Sequence, residues 1–378
     1  MFRKTKRQHN INTIKQACKD PTGAEFYKMI KQLEPRLNKK ARQFTLHSKE
    51  AEEETERIAE QFENIFGQTD VKPTKTERDR LRDNLRNIKE RIQKENNPPF
   101  TTRELEQAVR RAETRSAKGH DWVSNRLIKI AFDVPDFAEQ LLFVINKQIM
   151  EIGKYPTELK TAKIIPLPKA NPGEFRPISL LPSLSNIIEY MIQNRMREIL
   201  EPKLPRNQFG CRPGYSTTQA LMRLMHYSGY AAGTNQKFGI ILYDFTKAYD
   251  RVPKHTLVKK MIELNTPAYL INIIHDWLTN RQFTVTYRQH ESRIRNQENG
   301  IPQGSSLSVL LWILFVYDIP LNPKFSNTYV DDTVGWATGH DRRDVETRLK
   351  YQLKKMIKWC EKNKIKINTD KTHVLFNE

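Results

Sequence analysis

Apolar residues recur every three to four positions over much of the chain, the spacing expected of helices with one buried face. Helices are predicted in TTRELEQAVRRA, DWVSNRLIKIAF, DFAEQLLFVINKQIMEIG and PSLSNIIEYMIQNRMREILE, and again near 254–280 and 342–362. Strands are predicted in TAKIIPLPK, in the alternating stretch RQFTVTYRQ, and in FGIILYDF, whose nearly continuous apolar run suits a central strand. Because helices and strands mix without strict alternation, the pattern favours an α+β fold over a doubly wound sheet.

The N-terminal part of the chain differs from the rest in its composition. Residues 1–43 are basic and poor in large apolar side chains, which predicts a basic arm. A helical linker or N-terminal extension is predicted for residues 44–99. In it, Ser48 can cap a helix through KEAEEETERIAEQFENIF, and a second, charged helix follows. The main folded domain is therefore expected to span residues 100–378.

Composition narrows the class of protein. The 378 residues include 64 Lys and Arg against 44 Asp and Glu, and the net charge of +20 indicates a polyanionic partner. The three cysteines are far apart, which argues against a disulfide framework or a zinc ribbon and favours a reducing compartment. With no secretory signal, and with VLLWILFV (309–316) too short to span a bilayer, we expect no membrane partner. The predicted setting is an intracellular ribonucleoprotein, nuclear or cytoplasmic, and not a secreted protein.

Four short motifs carry candidate chemistry. Asp331 and Asp332 stand side by side between apolar residues in SNTYVDDTVGWATG, and taken alone such a pair is most often a hairpin turn. Asp244 lies at the carboxyl end of the predicted central strand, in GIILYDFTKAYDRV. The loop NGIPQGSS opens a very apolar helix, and NTDKTHVLF places Lys371 in a loop before a short strand.

These motifs, in this order, resemble the reverse transcriptases of non-LTR (LINE-type) retrotransposons. The resemblance also covers FRPISLLPSLSNIIE, QFGCRPGYSTTQAL and KGHDWVSNRLIK, and it spans roughly residues 100–378. It implies the fingers and palm of a right-hand polymerase, with a ferredoxin-like antiparallel sheet in the palm. The implied reaction is RNA-directed DNA synthesis, in which dNTPs are added to a DNA primer 3′-hydroxyl on an RNA template.

Nucleotide addition explains why several carboxylates are needed together. The primer hydroxyl is a poor nucleophile, and two divalent cations can activate it while stabilising the leaving oxygens. Hard cations prefer carboxylate ligands. The resemblance implies that Asp244 and Asp331 hold two Mg²⁺ ions, for which Mn²⁺ can substitute, and that Asp332 is the third acid. Asp250, in the same motif as Asp244, is expected to be structural.

Other roles are implied on the nucleotide side. Tyr249 resembles the steric gate that rejects ribonucleotides, although a core aromatic is an alternative reading. Phe245 is placed beside it among the substrate contacts. Lys169 and Arg176 lie on the predicted fingers hairpin and would grip the triphosphate, since Arg suits bidentate phosphate contact and Lys a point charge. A solvated loop lysine remains an alternative for Lys169.

The remaining candidates lie on loops. Gln303 and Gly304 are expected to approach the nucleotide or the template backbone, because glycine allows close approach, with a simple helix-start turn as the alternative. Lys371 resembles the lysine that protonates or holds the leaving pyrophosphate, and a solvated surface lysine is the alternative.

The sequence also departs from the family pattern. Val330 stands where alanine is usual, and Val309 and Tyr317 replace a usual proline and asparagine. The chain ends seven residues after Lys371, so a helical thumb is expected to be missing. Two alternatives stay open: an RNA-directed RNA polymerase, against which Tyr249 argues, and a weak or inactive scaffold that binds RNA or an RNA–DNA hybrid. Oligomeric state, template choice and origin are not readable from the residues.

Overall fold

The computed structural model describes residues 49–68 and 72–377. The predicted basic arm and the Ser48 cap lie outside these residues. Two helices come first, α1 (Lys49–Phe66) and α2 (Lys75–Lys94), in the two stretches predicted to be helical. Thr74 caps α2 with a capping box, in which its hydroxyl accepts from the Glu77 N–H and the Glu77 carboxylate accepts from the Thr74 N–H.

The later helices lie in stretches predicted to be helical, except the helix over residues 217–233, for which none was predicted. They are α3 (Thr102–Arg111), α4 (Asn125–Ala131), α5 (Phe137–Ile145) continued by a π-helical turn (Asn146–Glu151), α6 (Ser183–Leu200), α7 (Thr217–Gly233), α8 (Lys254–Glu263), α9 (Ala268–Leu278), α10 (Ser306–Phe315) and α11 (Arg342–Asn363). The stretch predicted near 254–280 is two helices, because Pro267 begins a new one. Helix α10 carries most of the VLLWILFV run and is almost wholly buried. Within the described ranges, no helix is long and apolar enough to cross a bilayer.

The strands form two sheets. They are β1 (Thr161–Pro168), β2 (Phe175–Leu180), β3 (Lys237–Tyr243), β4 (Arg281–Tyr287), β5 (His290–Glu291), β6 (Arg295–Gln297), β7 (Ser326–Tyr329), β8 (Asp332–Gly339) and β9 (His373–Phe376). The first sheet has the order β2-β1-β4-β5, with β6 also paired to β4. In it β1 and β2 form an antiparallel hairpin, whereas β1 and β4 are parallel.

Helix α1 covers the first sheet. Its buried face, which includes Ile58 and Phe62, packs with Ala162 of β1 and with Phe283 of β4. The Phe66 and Phe283 rings meet edge to face with their centroids 5.3 Å apart. Helix α2 buries Ile88 and contacts α9. Helices α1 and α2 therefore both pack on the part of the chain that follows residue 100.

The second sheet holds the candidate site at one end. Its order is β7-β8-β3-β9 with every pair antiparallel, and helices lie between β3 and β7 and between β8 and β9, in a β-α-β-β-α-β arrangement. The strand predicted to be central, β3, lies between β8 and β9. Its Ile241 and Tyr243 join the main core, while Phe238 and Ile240 pack on the opposite face. Leu242 near its carboxyl end is 37% exposed, so that end is open on one face.

Candidate active site

The register of the second sheet brings three aspartates to one end. Strand β3 ends at Tyr243, which is paired with Thr333 of β8. Asp244 directly follows β3, and the same register carried one residue further sets it beside Asp332, the first residue of β8. Tyr329 pairs with Asp332 to close the β7–β8 hairpin, so Asp331 is in the two-residue turn. The prediction that the paired aspartates lie in a hairpin is confirmed, and this hairpin brings them next to the end of β3.

The electrostatics of Asp331 agree with this clustering. Asp331 is accessible to solvent, yet neighbouring protein atoms remove part of its hydration, and this desolvation raises the pKa of its carboxyl. The charges of Asp332 and Asp244 raise the pKa further, whereas the guanidinium of Arg176 opposes the shift. The carboxylates thus repel one another, and a bound cation would relieve that repulsion.

The donor set fits a hard divalent cation. Three carboxylates converge on one sheet end, and carboxylate oxygens are the ligands that Mg²⁺ prefers. Across residues 49–68 and 72–377, no three carboxylate, imidazole or thiolate side chains already stand in a ready-made ligand cluster. The fit therefore rests on the chemistry of the donors and on the mutual destabilisation of their charges.

The loop that carries Lys371 is attached to the backbone of Asp244. The Asn368 N–H donates to the Asp244 carbonyl over 2.8 Å, and the Asp244 N–H donates to the Thr372 hydroxyl over 3.4 Å. Lys371 lies between these two contacts and is exposed. The fourth motif is thereby brought to the first, although more than 120 residues separate them in sequence.

Two aromatic residues after Asp244 differ in placement. Tyr249 stacks on Trp312 with ring centroids 5.5 Å apart and planes 20° apart. Burial raises the pKa of the Tyr249 hydroxyl, and the Asp331 charge adds to the effect, so the ring lies within electrostatic reach of the hairpin turn. Phe245 is 6% exposed and packs against Trp312 and Trp359. The structure thus places Tyr249 at the site and Phe245 in the core beneath it.

The IPQG loop (residues 301–304) is anchored to β2 of the first sheet and to the segment that follows β3. Gly304 has φ of +121°, and a Cβ at this position would lie 2.5 Å from the carbonyl oxygen of Ser179 in β2. The Ser179 N–H donates to the Gln303 carbonyl over 2.6 Å, and the Gln303 side-chain amide donates to Asp250 over 2.7 Å. Asp250, predicted to be structural, is 4% exposed, and burial raises its pKa to about 6. The glycine is thus required by close backbone approach, and the glutamine amide is engaged within the protein.

Three cations surround this loop. Lys169 begins the β1–β2 turn and lies 3.7 Å from Glu174 at the end of that turn. The charge of Arg176 acts on both Asp250 and Asp331. The third cation, Lys247, was missed by the sequence reasoning. Burial lowers its pKa, the Asp250 charge opposes the shift, and the Lys169 charge adds to it. Its position three residues after Asp244 could have indicated that Lys247 lies near the aspartates.

Comparison with known proteins agrees with the motifs. Residues 167–377, more than half of the chain, match the family model described as reverse transcriptase (RNA-dependent DNA polymerase). A probable RNA-directed DNA polymerase from transposon BS of Drosophila melanogaster is 29% identical over 72% of the chain and 32% of its own length. The RNA-directed DNA polymerase from mobile element jockey of Drosophila funebris is 30% identical over 72% of the chain and 31% of its own length.

The chain therefore spans about a third of the length of these curated relatives. Among solved structures, apo telomerase from Candida tropicalis, truncated from its C-terminal domain, aligns with a TM-score of 0.44 at 14% identity, over 68% of this chain and 64% of that one. The family match covers the end of β1, all of β2, the IPQG loop and all three aspartates. The chain belongs to the reverse transcriptase family, and its similarity to polymerases of Drosophila transposable elements supports a LINE-type member.

Proposed function

We propose that this chain adds dNTPs to a DNA primer 3′-hydroxyl on an RNA template. The observation that carries the proposal is the register that places Asp244 beside Asp332, with Asp331 in the adjoining turn. In this proposal the second sheet and α11 form the palm, and the first sheet with its surrounding helices forms the fingers. The net charge of +20 suits a template and primer that are both polyanions.

The aspartates would hold two Mg²⁺ ions, or Mn²⁺ in their place. When bound, such ions lower the pKa of the primer hydroxyl and stabilise charge on the leaving pyrophosphate. Asp244 and Asp331 are the principal ligands in this proposal, and Asp332 is the third acid beside them. The raised pKa of Asp331 supports this assignment, because a carboxylate destabilised by its neighbours gains most from a cation.

The cations near the IPQG loop would bind the triphosphate. Arg176 can contact phosphate oxygens with two N–H groups, while Lys169 and Lys247 supply point charges from the hairpin turn and from the loop after Asp244. Lys371, in the loop that is hydrogen-bonded to the Asp244 backbone, would donate a proton to the pyrophosphate or hold it. Gly304 would let the loop pack closely on β2 so that its backbone can face the nucleotide, and Gln303 would fix that loop through Asp250.

Tyr249 favours DNA synthesis over RNA synthesis. Its ring is stacked on a buried tryptophan and lies close to Asp331, where a bulky side chain would exclude a ribose 2′-hydroxyl. An RNA-directed RNA polymerase is therefore the weaker candidate. A scaffold that only binds RNA or a hybrid would not need three aspartates at one sheet end, and it remains an outcome of the test.

The test is single-turnover primer extension with excess protein, an RNA template, Mg²⁺ and dNTPs. Wild type is compared with Asp331→Asn, after equal binding of the hybrid has been verified. Asp79→Asn, which removes one charge from a half-exposed side chain on α2, is the control for loss of one charge. We expect extension in wild type and in Asp79→Asn, and its loss in Asp331→Asn. Tight binding of the hybrid without extension in wild type would refute the polymerase and support the scaffold.

A further inference from the structure

Val330, the residue before Asp331, has an unfavourable backbone conformation. It is the first residue of the two-residue hairpin turn and has φ of +60°. A β-branched side chain strongly disfavours positive φ, because its Cβ substituents crowd the backbone. Such a conformation is strained and persists only where the surrounding structure enforces it. The turn that aims Asp331 therefore needs external support.

The segment before α7 holds the backbone N–H of Val330 by a hydrogen bond. This segment runs alongside β7: the Phe209 N–H donates to the Thr328 carbonyl, and the Thr328 N–H donates to the Asn207 carbonyl, each over 2.8 Å. The buried side-chain carbonyl of Gln208 then accepts from the Val330 N–H over 3.2 Å.

Gly210 completes the same side. Its N–H donates to the Gln208 side-chain carbonyl over 2.7 Å, which fixes that oxygen toward Val330. A Cβ on Gly210 would lie 2.5 Å from both the backbone nitrogen and the Cγ2 atom of Val330. Only glycine therefore lets this segment come close enough for the contact.

Support reaches the carbonyl side of Val330 from α10. The indole Nε1–H of Trp312, a fully buried residue, donates to the Val330 carbonyl over 2.9 Å. The same indole stacks against Tyr249. One side chain thus contacts both the hairpin turn and the aromatic ring proposed to select the sugar.

We propose that Gln208, Gly210 and Trp312 form a clamp that holds Val330 in its left-handed conformation and thereby positions Asp331 for nucleotide addition. The three are positioning residues, because they act through Val330 and touch neither substrate nor cation. The inference rests on the proposed function, since it concerns the same site. It goes further in assigning to Trp312 a second role: fixing the face of Tyr249, so that hairpin geometry and sugar selection share one support.

The first test removes one contact at a time. Trp312→Phe keeps an aromatic face for Tyr249 but loses the N–H donor, and Gln208→Leu loses the acceptor with little change in volume. We expect each to lower the maximal single-turnover rate roughly tenfold, with a smaller change in the dNTP concentration at half-maximal rate. Trp312→Leu should in addition reduce discrimination between dNTP and rNTP, whereas Trp312→Phe should preserve it.

A second substitution at Val330 distinguishes a clamp from a general packing role of Trp312, because it should restore the rate only if Trp312 acts through the backbone conformation of Val330. Glycine adopts positive φ without strain, whereas alanine shares much of the penalty of valine. Val330→Gly placed in the Trp312→Phe background should therefore recover much of the lost rate, and Val330→Ala should not. If both double variants stay as slow as Trp312→Phe, or if both recover equally, the proposed function of the clamp is wrong.

A measurement without turnover completes the design. Hydrogen exchange of a peptide covering residues 326–339, in the metal-free protein, should be faster in Trp312→Phe than in wild type. Trp336→Phe is the matched control, because Trp336 is also fully buried, lies in the same hairpin, and has an indole nitrogen without a hydrogen-bond partner. Equal acceleration in both variants would overturn the clamp. If wild type itself extends no primer, the polymerase proposal fails, while the exchange result still decides whether the clamp holds the turn.

Discussion

Asp250 offers a stability test whose size follows from its surroundings. Its carboxyl is 4% exposed, and burial raises its pKa from an ordinary value of 3.8 to about 6, despite the Gln303 hydrogen bond and the nearby charges of Lys247 and Lys169. A carboxyl whose pKa is higher in the folded protein binds its proton more tightly there than in the unfolded chain. Folding is therefore favoured by acid, and this contribution is lost as the pH rises from about 4 to above 6.

The loss of folding free energy follows from the difference between the folded and unfolded pKa values of Asp250. Keeping Asp250 ionised in the folded protein costs about 3 kcal/mol at pH 7.5, and about half of this cost is already present at pH 5. Asp250→Asn removes the charge but retains a side-chain oxygen that can accept the amide of Gln303. We therefore expect Asp250→Asn to gain stability relative to wild type as the pH rises from 5 to 7.5, by about 1–2 kcal/mol.

Urea unfolding of both proteins at several pH values measures this directly. Asp79→Asn, which removes one charge from a half-exposed side chain on α2, is the control variant. A constant difference between Asp250→Asn and wild type from pH 5 to 7.5 would refute the reasoning, because the folded pKa would then equal the unfolded one. Nucleotide addition by Asp250→Asn can be followed in parallel, since the substitution leaves the three site aspartates in place.

Three further predictions concern the IPQG loop, a buried carboxylate and hybrid binding. Gly304→Ala should lower the free energy of unfolding by about 2 kcal/mol and weaken dNTP binding, because the added Cβ meets the Ser179 carbonyl. Urea unfolding and dNTP titration measure these two effects, and no change in either would mean that the loop relaxes freely. Glu189→Leu should destabilise the fold by about 3 kcal/mol or more, because Ser305 and Trp277 both donate to this fully buried carboxylate; unchanged unfolding would show that these donors find other partners. Binding of an RNA–DNA hybrid should weaken steeply with added salt, by about one unit of log–log slope per phosphate contacted, and a flat response in a fluorescence titration would contradict the electrostatic account.

Local patterns allowed most elements to be predicted. Apolar periodicity marked the helices other than α7, and the alternating or continuous apolar runs marked β1, β3 and β4, because both signals reflect which side of an element is buried. The positions of Asp244 and the paired aspartates at strand ends could also be predicted, since each apolar run stops at the polar residue. Phe245 was harder to place, although alternation along a strand puts it on the opposite face from Asp244.

Long-range contacts could not be predicted in this way. The hydrogen bond between Trp312 and Val330 depends on where α10 crosses the second sheet, and no residue spacing encodes that crossing. The positive φ of Val330 is contrary to the preference of valine, so propensity alone would have excluded it. The proximity of Lys247 to Lys169 likewise depends on how the two sheets are arranged around the IPQG loop.

The most direct test of the central claim counts cations at the three aspartates. The protein is bound to an RNA–DNA hybrid with a 3′-deoxy primer and a complementary dNTP, so that no turnover occurs, and bound Mn²⁺ is titrated by electron paramagnetic resonance. We expect wild type and Asp79→Asn to bind about two ions per complex at saturation, and Asp331→Asn to bind fewer or to bind them far more weakly. Equal number and affinity of bound Mn²⁺ in wild type and Asp331→Asn would contradict the assignment of the aspartates as the metal site.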